Sequence, residues 1–196
     1  MLRQIFAVCA GHPSEIISLS KIAGEITDAG TLETIAHYLN LLDEAYLVSP
    51  LLKYSSREVR RRSSPPKVAP LSNAFLAATS MDVSPLPDTN PAGWGRWVGN
   101  ACIAFAIGCE QTVQYWREEP MEVDAIFSGS WGKWAVEIKT GEYTSRDLAG
   151  LLEFCRRNTE YLPIVLCDEN HTDTAHRLGL DVLSWEEFLW SGIPPK

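Results

Sequence analysis

Met121-Glu122-Val123-Asp124-Ala125-Ile126-Phe127 and Trp134-Ala135-Val136-Glu137-Ile138-Lys139 decide the reading of this chain. Both runs are apolar and β-branched on alternate positions, and Ser128-Gly129-Ser130-Trp131-Gly132 between them is turn chemistry, so the spacing predicts two short strands. Strand side chains alternate between faces, which sends Glu137 and Lys139 to one side and Val136 and Ile138 to the other. On the first strand the same alternation groups Asp124 with Glu122 and Ile126. Paired as a hairpin, the strands would bring two carboxylates and an ammonium onto one polar patch. Oxygen ligands of this kind suit Mg²⁺, and a neighbouring Lys can position or polarise a water.

Working outward, the chain of 196 residues is long enough for a sizeable core, and it carries a net charge of −8. That balance argues against a general nucleic-acid binder. The charge is uneven: residues 1–91 hold 8 Lys/Arg and 9 Asp/Glu, whereas residues 92–196 hold 9 and 16. Arg57, Arg60, Arg61, Arg62 and Lys67 form the basic cluster of the first half, so any phosphate contact is expected to begin there. No signal peptide or membrane-spanning run is apparent, and Cys9, Cys102, Cys109, Cys155 and Cys167 are scattered without a Cys-x-x-Cys pair. Reduced thiols in a cytoplasmic protein without a membrane partner are the expectation. His171 and His176 share no helical face and suggest no ligand set.

Residues 1–71 read as three helices followed by strand pieces, a winged helix-turn-helix order. The third helix, capped by Thr31, buries Leu32, Ile35, Ala36, Leu39 and Leu42, and turns Glu33, Thr34, His37, Tyr38 and Asn40 outward. No Lys or Arg lies where a recognition helix would read bases, so a protein contact or a spacer role competes with DNA binding. Residues 72–92 hold a short helix and a Pro-rich linker. Residues 93–196 then run helix, three strands, helix, strand, with a further helix, strand and helix. The fold class is α/β, a sandwich of helices around a mixed sheet. Trp94, Trp97, Trp131 and Trp134 are divided between this core and a groove wall suited to stacking on bases.

The αβββαβ order, with Asp124 followed by Glu137-Ile138-Lys139, resembles the PD-(D/E)XK nuclease superfamily, the restriction-endonuclease-like fold. Over most of residues 18–140 the chain also resembles the C-terminal region of a prokaryotic family of AAA-type P-loop ATPases. The residues concerned are the winged helix, Pro66-Lys67-Val68, Tyr115-Trp116-Arg117, Glu122-Val123-Asp124 and Glu137-Ile138-Lys139. The resemblance implies a Mg²⁺- or Mn²⁺-dependent DNA endonuclease, with Asp124, Glu137 and the Ile138 carbonyl as metal ligands and Lys139 as the catalytic ammonium. DNA and an ATPase domain or partner protein are the implied partners. The chain departs from the pattern twice. It has no phosphate-binding Gly-x-x-x-x-Gly-Lys-Ser/Thr loop, so an ATPase part would precede Met1 or have been lost. In Gly95-Arg96-Trp97-Val98-Gly99-Asn100, Gly99 stands where the family places a metal-binding Glu. Glu122 is the candidate substitute, and a catalytically degenerate binding or regulatory module is the alternative.

Overall fold

The computed structural model describes residues 1–55, 64–79 and 85–194. Arg57, Arg60, Arg61 and Arg62, expected to grip a nucleic-acid backbone, lie outside the described residues. The chain is a mixed α/β fold built on two sheets. Three helices, α1 (Leu2–Gly11), α2 (Leu19–Glu25) and α3 (Leu32–Glu44), surround an antiparallel sheet of β1 (Glu15–Ile16), β2 (Val48–Leu51) and β3 (Lys67–Pro70), in the order β1-β3-β2. Capping fixes where α2 and α3 begin: the Lys21 amide donates to Ser18 Oγ, and the Thr34 amide to Thr31 Oγ1. Ile22, Ile35, Leu39 and Leu42 close this part of the core, whereas Leu32 is exposed because it occupies the first helical position. Where two strand pieces were expected on either side of Ser49-Pro50, one strand, β2, runs through.

After α4 (Asn73–Thr79), the chain enters α5 (Pro91–Gly108) and a five-stranded sheet. Its strands are β4 (Thr112–Glu118), β5 (Met121–Gly129), β6 (Gly132–Ile138), β7 (Leu162–Cys167) and β8 (Asp181–Ser184), in the order β4-β5-β6-β7-β8. The first three are antiparallel neighbours, and β6, β7 and β8 are parallel. Crossovers through α6 (Ala149–Arg157) and α7 (Asp173–Arg177) supply the parallel connections, and α8 (Trp185–Ser191) closes the described chain. Val98, Cys102, Ile103 and Ala106 of α5 and Phe188 of α8 cover one face of the sheet. Leu151 and Phe154 of α6 and Ala175 of α7 cover the other. Thr144 and Asp147 form a capping box over a 3₁₀ turn ahead of α6, and Phe154 is buried whereas Leu152 is exposed.

The two sheets share a core. Leu51 and Ala69 from the smaller sheet pack with α5 and the five strands, and the Tyr54 amide donates to the Tyr115 carbonyl at 2.6 Å. Asn100, fully buried in α5, donates to the Pro70 carbonyl and to Asn73 Oδ1, both at 2.8 Å. These bonds satisfy an amide that would otherwise be costly inside the protein. They also fix α5 against β3. All five cysteines are free, and among the described residues no helix is long and apolar enough to cross a membrane.

One glycine is indispensable to the sheet. A Cβ at Gly150, in the first turn of α6, would overlap the Glu122 carbonyl oxygen. The helix approaches β5 this closely because Gly150 has no side chain. Gly150→Ala is therefore expected to push α6 off the strand and to cost about 2 kcal/mol. Equilibrium denaturation should show a lower midpoint with an unchanged slope.

Candidate active site

The β5–β6 ladder ends at Ala125↔Val136. Beyond it the strands part, and the Ile138 amide donates to Asp124 Oδ2 at 3.0 Å instead of to a neighbouring backbone. Asp124 reaches this fork through a bulge. Along β4, Gln114 pairs with Ile126 and Trp116 with Val123, so Asp124 and Ala125 together stand opposite Tyr115. The extra residue breaks the alternation. Ala125 and Phe127 pack on the α5 face, whereas Val123 and Ile126 pack on the α6 face. The expected grouping of Asp124 with Ile126 is thus overturned, while Asp124 still faces the cleft beside α5. Alternation does hold on β6, where Val136 and Ile138 pack on the α5 side.

Glu137 and Lys139 meet as the two-residue spacing requires: Lys139 Nζ lies 2.7 Å from Glu137 Oε1. Glu137 is only 7 % exposed. Burial, followed by the charge of Asp124, pushes its carboxyl up to about 8, against the pull of Lys139 and Lys67. For Lys139, burial works against the ammonium, but the charge and hydrogen bond of Glu137, helped by Asp124 and Asp147, raise its pKa on balance. Each partner of the pair thus holds its proton more firmly than the free group does.

Lys67 is the residue that sequence reasoning placed wrongly. Grouped with the arginines as a backbone-gripping cation, it is 2 % exposed and points inward. Its ammonium donates to the Asp124 carbonyl at 2.9 Å and lies 3.5 Å from Asp124 Oδ1 and 3.7 Å from Glu122 Oε1. A signal was present, since Lys67 opens a strand whose other members, Val68, Ala69 and Pro70, are apolar and, like it, buried. A lysine in such a strand needs an acid inside the protein. Glu122 is on the Asp124 side, as expected, but it sits between Lys67 and Arg117, whose Nη1 lies 3.6 Å from Glu122 Oε2. Two cations thus share this carboxylate.

A cleft of about 270 Å³ runs over the fork, lined by Lys67, Gly99, Asp124, Glu137, Ile138 and Lys139, among others. The sequence-derived triad and the expected backbone ligand residue therefore share one cavity with Gly99. A Cβ on Gly99 would meet nothing within 4 Å. Among the described residues, no three His, Cys, Asp or Glu side chains converge as a metal cluster. The donors that remain, two carboxylates and the last residue of β6, are oxygen ligands of the kind Mg²⁺ and Mn²⁺ take. Burial and the Asp124 charge raise the Glu137 carboxyl, and a divalent ion would oppose both, so these residues fit such an ion as an incomplete set.

The tryptophans differ in their surroundings. Trp134 is buried, Trp131 stacks beside Phe105, and Trp94 meets Trp185 edge to face. Trp97 lines a neighbouring cavity of about 270 Å³, which shares Pro13 and Arg96 with the cleft. The outward side of α3 shows Glu33, His37 and Asn40.

No protein-family model matches the chain, and no curated protein matches it. Among solved structures it is similar to the crystal structure of protein VC1899 from Vibrio cholerae, at 12 % identity and a TM-score of 0.31. The match covers 97 % of this chain and 50 % of the other, so the chain spans about half the length of that protein.

Proposed function

We propose that this chain is a nuclease-like module, a winged helix joined to a PD-(D/E)XK domain, that hydrolyses phosphodiester bonds in DNA with Mg²⁺ or Mn²⁺. The observation that carries the reading is the convergence of Asp124, Glu137, Ile138 and Lys139 on one cleft at the β5–β6 fork. Asp124 and Glu137 would hold the ion, with the Ile138 carbonyl as a further donor. A bound divalent ion supplies a Lewis acid for the phosphoryl oxygens and a more acidic water. The chain's own residues then have defined tasks. The Ile138 amide fixes the Asp124 carboxylate, and Glu137 holds the Lys139 ammonium at 2.7 Å. That ammonium can hydrogen-bond the attacking water or a phosphoryl oxygen as negative charge builds there.

A second reading has its own observation. Gly99 supplies no third acid, and Lys67 already neutralises Asp124. On this reading the module binds nucleic acid or protein for an AAA-type ATPase without cutting. One experiment separates the two: incubate the full chain with plasmid, single-stranded and branched DNA in Mg²⁺ or Mn²⁺, beside Asp124→Ala. Metal-dependent cleavage that vanishes in the variant supports the nuclease. DNA retention without cleavage supports the binding module, and equal nicking by both proteins sinks the catalytic reading.

A further inference from the structure

Lys67 has no task in the reaction just described, yet it is built into the site. Lysines are seldom buried to 2 % exposure. This one comes from β3, whose four residues are all buried, so the stem cannot swing out without moving the strand. Three of its contacts are oxygens of β5: the Asp124 carbonyl, Asp124 Oδ1 and Glu122 Oε1, at 2.9, 3.5 and 3.7 Å. Oxygen donors gathered around a dehydrated positive charge describe a cation site, and here the cation is an ammonium.

We infer that Lys67, supplied by the smaller sheet, is the resident cation of the Asp124 carboxylate and weakens the site for a divalent ion. The inference rests on the metal-site reading above. An ion that took Asp124 Oδ1 as a ligand would stand beside an ammonium already 3.5 Å from the same oxygen. Their repulsion is poorly screened, because Lys67 is buried and salt cannot enter between them. Removing the ammonium would also take from the Asp124 carboxylate the cation beside it, which again favours a divalent ion. Both effects have the same sign. Lys67 is therefore a positioning residue that sets how much metal the site demands.

Manganese binding to the full chain, read by titration calorimetry and by the electron paramagnetic resonance signal of free Mn²⁺, tests this. Lys67→Met keeps the apolar stem and removes the charge, so it should bind Mn²⁺ at least about tenfold more tightly than the unsubstituted chain. Lys67→Arg should retain the weak binding. Adding Asp124→Ala to Lys67→Met should erase the gain. Unchanged or weaker binding in folded Lys67→Met overturns the inference, as does a gain that survives the loss of the Asp124 carboxylate. Should Lys67→Met not fold, Lys67→Gln, which keeps a donor for the Asp124 carbonyl, carries the same test with the same criteria. The readout is independent of cleavage. A chain that never cuts DNA but shows the gain keeps this inference and loses the nuclease reading; one that cuts without the gain does the reverse.

Discussion

Glu137→Gln is expected, on the proposed nuclease reading, to lower DNA cleavage by roughly a thousandfold or more and, in metal-free buffer, to remove an alkaline loss of stability. Burial and the neighbouring Asp124 raise the Glu137 carboxyl from 4.5 to about 8. Between those values the folded protein holds a proton that the unfolded chain has released. Stability therefore falls as pH rises: the contribution is fully present below the unfolded pKa and is lost as pH passes through about 8. From pH 6 to pH 9 the loss is on the order of a few kcal/mol, each pKa unit being worth on the order of 1 kcal/mol. Glutamine has the shape of the protonated acid and still offers Lys139 an acceptor, but it does not titrate. Urea unfolding at the two pH values, with chelator present, should give a slope in the unsubstituted protein and little slope in the variant. A flat profile in the former would show that Glu137 is ionised in the fold. Cleavage that survives in the variant would remove Glu137 from the reaction.

The same carboxyl shows how much of the site was legible in the sequence. The hairpin, the pairing of Glu137 with Lys139, and the layered order of helices and strands follow from two periodicities and a turn, all of them local. Asp124 needed more. Strict alternation sends it to the side of Ile126, and the bulge that turns it into the cleft appears only in the pairing of Gln114 and Trp116 across the strand. Nothing in Asp124-Ala125 marks that bulge, since neither residue is a glycine with the backbone freedom that often signals one. Lys67 needed most of all. It lies 57 residues before Asp124, and its place depends on how the smaller sheet docks against α5. That docking rests on Asn100, Pro70 and Asn73, polar groups whose partners lie far away in the chain. Charge clustering in the sequence put Lys67 with its neighbours in the chain, whereas the fold put it with an acid on another sheet. Gly99, where the resemblance implies an acid, was legible at once, because it is a statement about one position. What the structure adds is that the position faces the cleft.

That geometry makes Gly99→Glu expected to raise Mn²⁺ affinity by about thirtyfold, or ~2 kcal/mol. A Cβ there meets nothing within 4 Å, so the first atom of the side chain enters without displacing the helix. Helix propensity alone favours the change by up to about 1 kcal/mol, since glycine inside a helix is costly. Without metal, that gain is opposed by a new carboxylate facing Asp124, and the variant should melt close to the unsubstituted chain. With Mn²⁺ far above its dissociation constant the balance changes, because a bound ion stabilises the folded state in proportion to the logarithm of its concentration over that constant. Gly99→Gln is the necessary partner: it brings the same length and the same helix gain but no charge, and it should leave Mn²⁺ affinity almost unchanged. Equal affinities in the two variants would mean that the open space at Gly99 does not reach the ion, and the incomplete-site reading would fall with it. The gain from Gly99→Glu should not simply add to that from Lys67→Met. Each variant changes the charge felt by one ion, and neighbours acting on a shared partner are coupled. A double variant whose gain differs from the sum of the single gains would place Lys67 and position 99 around the same ion, whereas strict additivity would put them at separate places in the cleft.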